Sequence, residues 1–256
     1  MGARIVTWGK IVALAATTSS LALAAEPAVS PEAVAALKAM GAYLRSLDKI
    51  SVTADASVDY VDDDGQVLTF GFQHVVDVDR PDRLRASIRG DDTTRTMYYD
   101  GKTFTLYGTQ HNYYASVPAP PTIRQLVDDL ATKYGIQTPL ADLFYWGLED
   151  HDAGADLTSA RKIGDERIGD ATCTHYAFRQ PNADWQLWIR TGAQPLPCRL
   201  VIADRSNGER PRYSVAYHWQ TKPTFTANTF RFVPPKGAAR IVLAPREAAA
   251  SSSSAR

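Results

Sequence analysis

The feature that most constrains this chain is a pair of long alternating segments joined by a turn. From Ile50 to Tyr60 every second residue is apolar, and the residues between them are Ser, Thr or Asp. The same period of two returns from Leu68 to Val78, after the turn sequence Asp62-Asp63-Asp64-Gly65. A period of two is typical of strands with one apolar and one solvated face. We therefore predict a long antiparallel hairpin whose apolar residues share one face.

Further strands follow at short spacing along most of the chain. The stretch from Tyr98 to Val117 holds five of the twelve tyrosines, and its Asp100-Gly101 pair predicts a hairpin turn. Tyrosines suit half-buried strands, so we interpret this stretch as scaffold. Later strands are predicted over 160–163, 166–168, 173–179, 184–190, 199–204, 212–220 and 229–232. Strands joined by short turns predict a mainly β (α+β) fold with one strongly curved antiparallel sheet, or half-barrel, of about eleven strands.

Helical signals occur at three places. Ser30-Pro31-Glu32 predicts a helix start with Ser30 as the N-cap, and apolar residues at three- and four-residue spacing continue to Leu47. A second helix is predicted from Ile123 to Leu130, with Gly135 marking its end, and a shorter one from Pro139 through Phe144. Because the apolar face of a sheet must be covered, we expect these helices on the concave face.

The two ends of the chain have different compositions from the middle. Arg4 and Lys10 precede an Ala-rich apolar run that begins at Ile11 and ends near Ala25. This pattern predicts a cleaved signal peptide over residues 1–25 and a periplasmic location. The run contains Thr and Ser and falls short of the roughly 20 apolar residues of a membrane span, so an integral membrane protein is not expected. Residues 242–256 are predicted to form a disordered tail. Residues 26–241 are left as a single domain.

Charge and motif content exclude several classes of function. Lys plus Arg and Asp plus Glu both number 28, which gives no basic surface for nucleic acid. The five histidines are scattered singly and no Cys-x-x-Cys occurs, so neither a metal site nor a cofactor is predicted. No Gly-x-Ser-x-Gly elbow or phosphate loop is present. We predict no catalytic residues and expect a protein that is not an enzyme.

Several short sequences resemble a known family when taken in their order. They are RPDRLR (80–85), YYDGKTFTLY (98–107), PLADLF (139–144), DWQLWI (184–189) and FRFVPPKGA (230–238). Together they resemble the DUF2092 proteins, which are predicted periplasmic proteins of unknown function. The Asp-Gly-Lys-Thr hairpin and the Phe-x-Phe-x-Pro-Pro-x-Gly ending are also similar to the lipoprotein carriers LolA and LolB and the stress regulator RseB. The resemblance implies an eleven-stranded half-barrel with a helical lid over an apolar cavity.

This resemblance implies binding without covalent change. The predicted function is a soluble periplasmic carrier or binding protein for an amphiphile, either a lipid or lipoprotein acyl chains. The alternative is an RseB-like envelope sensor that binds an envelope protein. A packed core and an open cavity both remain consistent with the sequence, since sequence does not report volume. If a cavity exists, its predicted ligand-binding residues are Val52, Val58, Phe70, Phe72, Leu143, Phe144, Tyr217 and Trp219.

The only two cysteines are Cys173 and Cys198. They lie on the two predicted strands that flank the strand of Arg190, one on each side of that residue. In a flat sheet this places them two strand spacings apart, about 9.5 Å, beyond the roughly 7 Å limit for a disulfide. Curvature, or a register shift at the loop 191–197, would instead bring them together. In an oxidising compartment we favour a structural disulfide between them.

Overall fold

The computed structural model describes residues 28–90, 93–141, 145, 156–206, 208–226 and 228–246. The helical elements are α1 (Pro31–Ser46), α2 (Ile123–Asp129) and a π-helical turn (Leu130–Tyr134) that continues α2. The strands are β1 (Lys49–Val61), β2 (Val67–Asp79), β3 (Arg83–Arg89), β4 (Thr94–Tyr99), β5 (Thr103–Gly108), β6 (Tyr113–Pro118), β7 (Ser159–Ile168), β8 (Ala171–Gln180), β9 (Ala183–Arg190), β10 (Pro197–Asp204), β11 (Arg212–Gln220) and β12 (Ala239–Arg240).

The strands of the described residues form one sheet in the order β12-β6-β5-β4-β3-β2-β1-β11-β10-β9-β8-β7. All pairs are antiparallel except β12 with β6, which is a parallel pair of two residues. The strands therefore form two meanders, β1 to β6 and β7 to β11, which are joined where β11 pairs with β1, and β12 pairs with β6 at one end of the order. The two end strands of this order, β12 and β7, are not paired with each other, so the curved sheet is unclosed. The predicted mainly β half-barrel is confirmed.

The hairpin of β1 and β2 forms as the alternation predicts. Its register pairs Lys49 with Asp79 at one end and Val61 with Val67 at the other. At the turn, Asp62 Oδ1 accepts hydrogen bonds from the backbone N–H groups of Asp64 and Gln66, at 3.0 and 2.8 Å. The acidic residue therefore serves the turn itself. Asp100 does the same in the hairpin of β4 and β5, where its Oδ1 accepts from the N–H groups of Lys102 and Thr103.

Helix α1 begins at Pro31 as predicted, but Ser30 does not cap it with its side chain. Instead the Ser30 backbone N–H donates to the carbonyl of Ala160 in β7 at 2.9 Å. The start of the helix is thus fixed by attachment to the sheet edge. Its buried stripe, which faces the sheet, is Ala33, Leu37, Met40, Gly41 and Leu44.

Two of the predicted strand assignments differ from the structure. The predicted strands 160–163 and 166–168 are one strand, β7, with a register shift between Lys162 and Gly164. The predicted strand 229–232 is wrong, since this segment contains a turn and an irregular stretch. There the alternating Phe230 and Phe232 point to different partners: Phe230 is buried, and the Phe232 ring packs on three tyrosine rings of β4 to β6 at 5.0 to 5.5 Å.

Residues 242–246, which were assigned to the tail, contact the rest of the molecule. Leu243 packs against the hydrophobic core, and the Arg246 backbone N–H donates to the carbonyl of Lys133 at 2.7 Å. The predicted tail is therefore too long at its start. The predicted helix 139–144 falls partly outside the described residues, which include only a turn over 139–141 and a helical Tyr145.

The cysteines lie on the convex face of β8 and β10. Their sulfur atoms are 1.98 Å apart and their α-carbons 6.7 Å apart, which is shorter than the two spacings of a flat sheet. A register shift between Pro197 and Arg199 in β10 places Cys198 out of the regular ladder. The disulfide joins them across β9, beside the buried ring of Trp188.

Candidate functional site on the concave face

Burial along the concave face of β1 falls steadily toward the β1–β2 turn. The inward-facing side chains run from Ile50 and Val52, which are 1% and 0% exposed, to Val58 and Tyr60, which are 38% and 56% exposed. The paired residues of β2 follow the same trend, from buried Val78 and Val76 to Phe70, which is 54% exposed. The concave face therefore has a closed end and an open end.

The closed end is packed by the helices. Apolar side chains of α1 and α2, among them Met40, Leu44 and Leu126, belong to one continuous core with Val52 and Val76. Val52 and Tyr217, two of the predicted ligand-binding residues, lie in this core and are 0% and 7% exposed. The structure places them where they support the fold.

An apolar strip crosses several strands of the concave face and leads from the buried Phe178 and Trp185 to the open end. Its members are cross-strand partners in succession along β8, β9, β10, β11, β1 and β2: Phe178, Trp185, Ile202, Tyr213, Val58 and Phe70. The predicted residues Val58 and Phe70 form the exposed end of this strip, which Tyr60 and Leu68 extend toward the turn. An exposed apolar surface continuous with the core can accept an apolar ligand without unfolding the sheet.

The other predicted ligand-binding residues have different positions. Phe72 is half-buried between the closed and open ends, with its ring 5.0 Å from that of His74. Trp219 is half-buried, and its Nε1–H donates to the carbonyl of Pro197 at 2.7 Å. Leu143 and Phe144 lie outside the described residues. All six described members of the predicted set lie on one face of the sheet. Val52 and Tyr217 belong to the core, Val58 and Phe70 to the open strip, and Phe72 and Trp219 are half-buried.

Two buried polar atoms on this face have no hydrogen-bond partner. They are Nδ1 of His74 and Nε1 of Trp185, whose side chains belong to residues that are 5% and 9% exposed. An unpartnered buried polar group costs free energy, and such groups are uncommon in native structures. Burial lowers the pKa of His74 to about 4, so the ring is neutral at neutral pH.

Sequence reasoning missed a pocket at the far side of the same face. It has a volume of about 220 Å³ and lies over β4, β5 and β6, with the C-terminal residues Ile241 and Leu243 forming one wall. Arg95 lies at its rim, on the concave face of β4. The signal was present in the sequence, because Arg95 occupies an inward position two residues before Met97 and four before Tyr99.

The convex face carries a polar cluster around Trp188. Its Nε1–H donates to Glu166 Oε2 at 2.9 Å, and the ring stacks on His175 at 4.0 Å. His175 in turn lies 3.1 Å from Glu166 Oε1 and 3.0 Å from Gln186 Oε1. These groups satisfy one another, so the cluster stabilises the sheet beside the disulfide. Within the described residues, no three His, Cys, Asp or Glu side chains are grouped as metal ligands.

These features define the class: a curved, unclosed antiparallel half-barrel with helices against one end of its concave face and an apolar strip open at the other. The chain belongs to a family of predicted periplasmic proteins, DUF2092, whose model matches residues 33–244. No curated protein matches it significantly. None of the helices in the described part of the chain is long and apolar enough to cross a membrane.

Several solved structures are similar to this chain at low identity. LprF from Mycobacterium bovis is 14% identical, with 83% of this chain and 100% of that chain covered and a TM-score of 0.47. The lipoprotein LppX from Mycobacterium tuberculosis is 11% identical, with coverage of 76% and 98% and a TM-score of 0.44. A LolA superfamily protein from Nitrosomonas europaea is 11% identical, with coverage of 77% and 96% and a TM-score of 0.35.

Proposed function

We propose that this protein is a periplasmic, non-enzymatic carrier or binding protein for an amphiphile, a lipid or the acyl chains of a lipoprotein. The ligand lies on the open end of the concave face, along the strip that ends at Val58 and Phe70. The observation that carries this proposal is the exposure of Phe70, 54%, on the same face whose other end is a closed core.

The physical basis is desolvation of the ligand and of the strip together. Burying acyl chains against apolar side chains contributes about 0.8 kcal/mol per methylene group, so a single chain supplies useful affinity without specific contacts. The accessible aromatic rings of the strip are those of Tyr213, which is half-buried, and Phe70, whereas Phe178 and Trp185 at its other end are buried in the core. Such rings provide a large contact area at a low cost in side-chain entropy.

The location follows from three independent features. The family is described as periplasmic, the N-terminal 25 residues have the pattern of a signal peptide, and the only two cysteines are joined in a disulfide. Disulfides persist in oxidising compartments such as the periplasm. Cleavage of the signal peptide near Ala25 belongs to this proposal, and N-terminal sequencing of the exported protein tests it.

The central experiment combines lipid extraction with a matched pair of variants. Protein purified from the periplasm is extracted and analysed by mass spectrometry, and a fluorescent fatty-acid probe is titrated into the delipidated protein. Phe70→Asp should weaken probe binding at least tenfold. The control, Val67→Asp, alters a side chain that is 50% exposed on the same strand but on the convex face, and should leave binding unchanged.

Two results would contradict the proposal. One is a parent protein that carries no lipid and binds no probe, which together with a captured envelope protein would favour the alternative interaction module. The other is an equal effect of Phe70→Asp and Val67→Asp on probe binding. Circular dichroism of each variant confirms that the sheet is intact before binding is compared.

A further inference from the structure

Arg95 is unusual among the residues that face the concave side of the sheet. The strand registers place three cations on inward positions of the described strands: Arg95 in β4, and Lys162 and Arg167 in the edge strand β7, where Arg167 follows the register shift and pairs with Thr172. Lys162 is paired with Glu32 of α1 at 3.2 Å. Arg95 is exposed and forms no hydrogen bond or ion pair with the described residues. By contrast, Arg83 and Arg85 of the neighbouring strand point outward and pair with Asp79 and Asp77.

The surroundings of Arg95 contain no described carboxylate. The pocket beside it is lined by apolar side chains, Leu106, Ala115, Ile241 and Leu243, by Tyr113 and Tyr114, and by the uncharged polar residues Thr93 and Gln110 together with His111. Asp91 and Asp92 precede β4 and lie outside the described residues. The register pairs Arg95 with Gly108, where an added Cβ would meet nothing within 4 Å. Arg95 therefore borders open space in a wall that holds no described carboxylate to neutralise it.

Arg95 is also within reach of the open strip. Arg95 pairs with Ile88 of β3, and Ile88 pairs with His74 of β2. Phe72 is the next residue of β2 on the same face, and its ring contacts that of His74. Arg95 and His74 are two strand spacings apart, roughly 10 Å along the sheet. An acyl chain lying along the strip past Phe72 can thus place its polar end at Arg95. A guanidinium presents its donors in a fork that matches carboxylate and phosphate oxygens.

We propose that Arg95 and the adjoining pocket bind the anionic headgroup of an amphiphile, a carboxylate or a phosphate ester. This inference rests on the proposed function and narrows its ligand class from amphiphiles in general to anionic ones. The bound anion replaces water around Arg95, and a charge-assisted hydrogen bond from the guanidinium contributes more than a hydrogen bond between neutral groups.

The test compares two probes that differ only in charge. A long-chain pyrene-labelled fatty acid and its methyl ester are titrated at neutral pH into the parent protein, Arg95→Gln and Arg89→Gln. Arg89 is the matched control, because it is an exposed arginine on neighbouring β3 that faces outward and its replacement makes the same change in net charge. We expect Arg95→Gln to weaken binding of the fatty acid about tenfold or more and to leave binding of the ester unchanged. Arg89→Gln should change neither.

A second variant tests the pocket without touching the charge. Gly108→Leu fills the open space beside Arg95, at a strand position whose backbone is outside the left-handed region. It should weaken both probes. Unchanged binding of the fatty acid by Gly108→Leu would remove the pocket from the site.

A third experiment uses free anions as competitors of the fatty acid. Butyrate and inorganic phosphate, added as competitors, should not displace the fatty acid, whereas displacement at low concentration would assign Arg95 to a free anion and overturn the headgroup proposal. The inference also fails if Arg95→Gln weakens both probes equally, or neither, in a protein that binds both. A parent protein that binds neither probe would overturn the proposed function itself, so the two failures are distinguishable.

Discussion

The two ends of the β1–β2 hairpin have the same sequence pattern and opposite environments. Val52 and Val58 are the same residue type on the same face of the same strand, yet one is 0% and the other 38% exposed. The backbone does not account for the difference, because the two strands stay paired in one register over their full length. What differs is the cover on the concave side.

Element lengths explain why the cover is incomplete. A strand of 13 residues spans roughly 43 Å, whereas a helix of 16 residues spans roughly 24 Å. Whatever its direction, α1 is too short to cover the hairpin from end to end. α2 and its π-helical turn add apolar side chains to the same closed core. The comparison teaches that alternation predicts which face a residue occupies, while the cover on that face decides whether it is core or binding surface.

The largest effect is expected from a matched pair of charges on β1. Val52→Asp buries a carboxylate without a partner and should lower the free energy of unfolding by about 4 kcal/mol or more. Val58→Asp places the same carboxylate at the open end, where water reaches it, and should cost less than about 1 kcal/mol. Urea denaturation measures both. Equal losses of stability would show that the open end is packed in solution.

The fold was more predictable than the site, for a reason visible in these residues. The strands of the hairpin, the Asp100-Gly101 turn and Gly135 as a helix terminator follow from local chemistry, and each is present. The site depends on which helix covers which strand, and this is a long-range property. For that reason Val52 and Tyr217 were grouped with Phe70, although only Phe70 is exposed at the open strip.

Arg95 and the C-terminal segment illustrate the same limit. The observed register places Arg95 inward, but the pocket beside it is closed by Ile241 and Leu243, about 145 residues later in the chain, and the sequence analysis predicted neither. The phenylalanine alternation at 230–232 predicted a strand, because sequence patterns do not show that Phe232 packs on the outer tyrosines. Contacts between segments so distant in the chain leave no period in the sequence, whether they are made by side chains or by a two-residue strand such as β12.

A smaller effect is expected from His74, which lies between the closed and open ends. Burial holds its pKa at about 4 in the folded state, against an ordinary value of 6.5. The unfolded chain therefore binds more protons between these values, and stability falls as pH decreases through this window. Between pH 8 and pH 5 this group should lower the free energy of unfolding by about 2 kcal/mol.

His74→Asn should remove that part of the pH dependence, while the exposed His111→Asn serves as the control and should keep it. Urea denaturation at several pH values measures the slope. If His74 contributes nothing to the pH dependence of stability in the parent protein, its ring is solvated. The open end would then extend further into the concave face than the structure shows.

The smallest effect separates the two helices that close the concave face. Thr122 caps α2 with its side chain, since its Oγ1 accepts from the Gln125 N–H at 3.3 Å, whereas the Ser30 side chain makes no capping hydrogen bond to α1. Thr122→Ala should therefore lower the free energy of unfolding by about 1 kcal/mol, and Ser30→Ala by only a few tenths.

From the sequence alone, Ser30→Ala would be expected to cost more stability than Thr122→Ala, because Ser-Pro-Glu is the stronger N-terminal signal. The reason for the difference is that the Ser30 backbone is already bonded to Ala160 of β7, so α1 begins where the sheet edge fixes it. Thermal denaturation of both variants decides the matter, and a larger loss from Ser30→Ala would show that α1 depends on its cap after all.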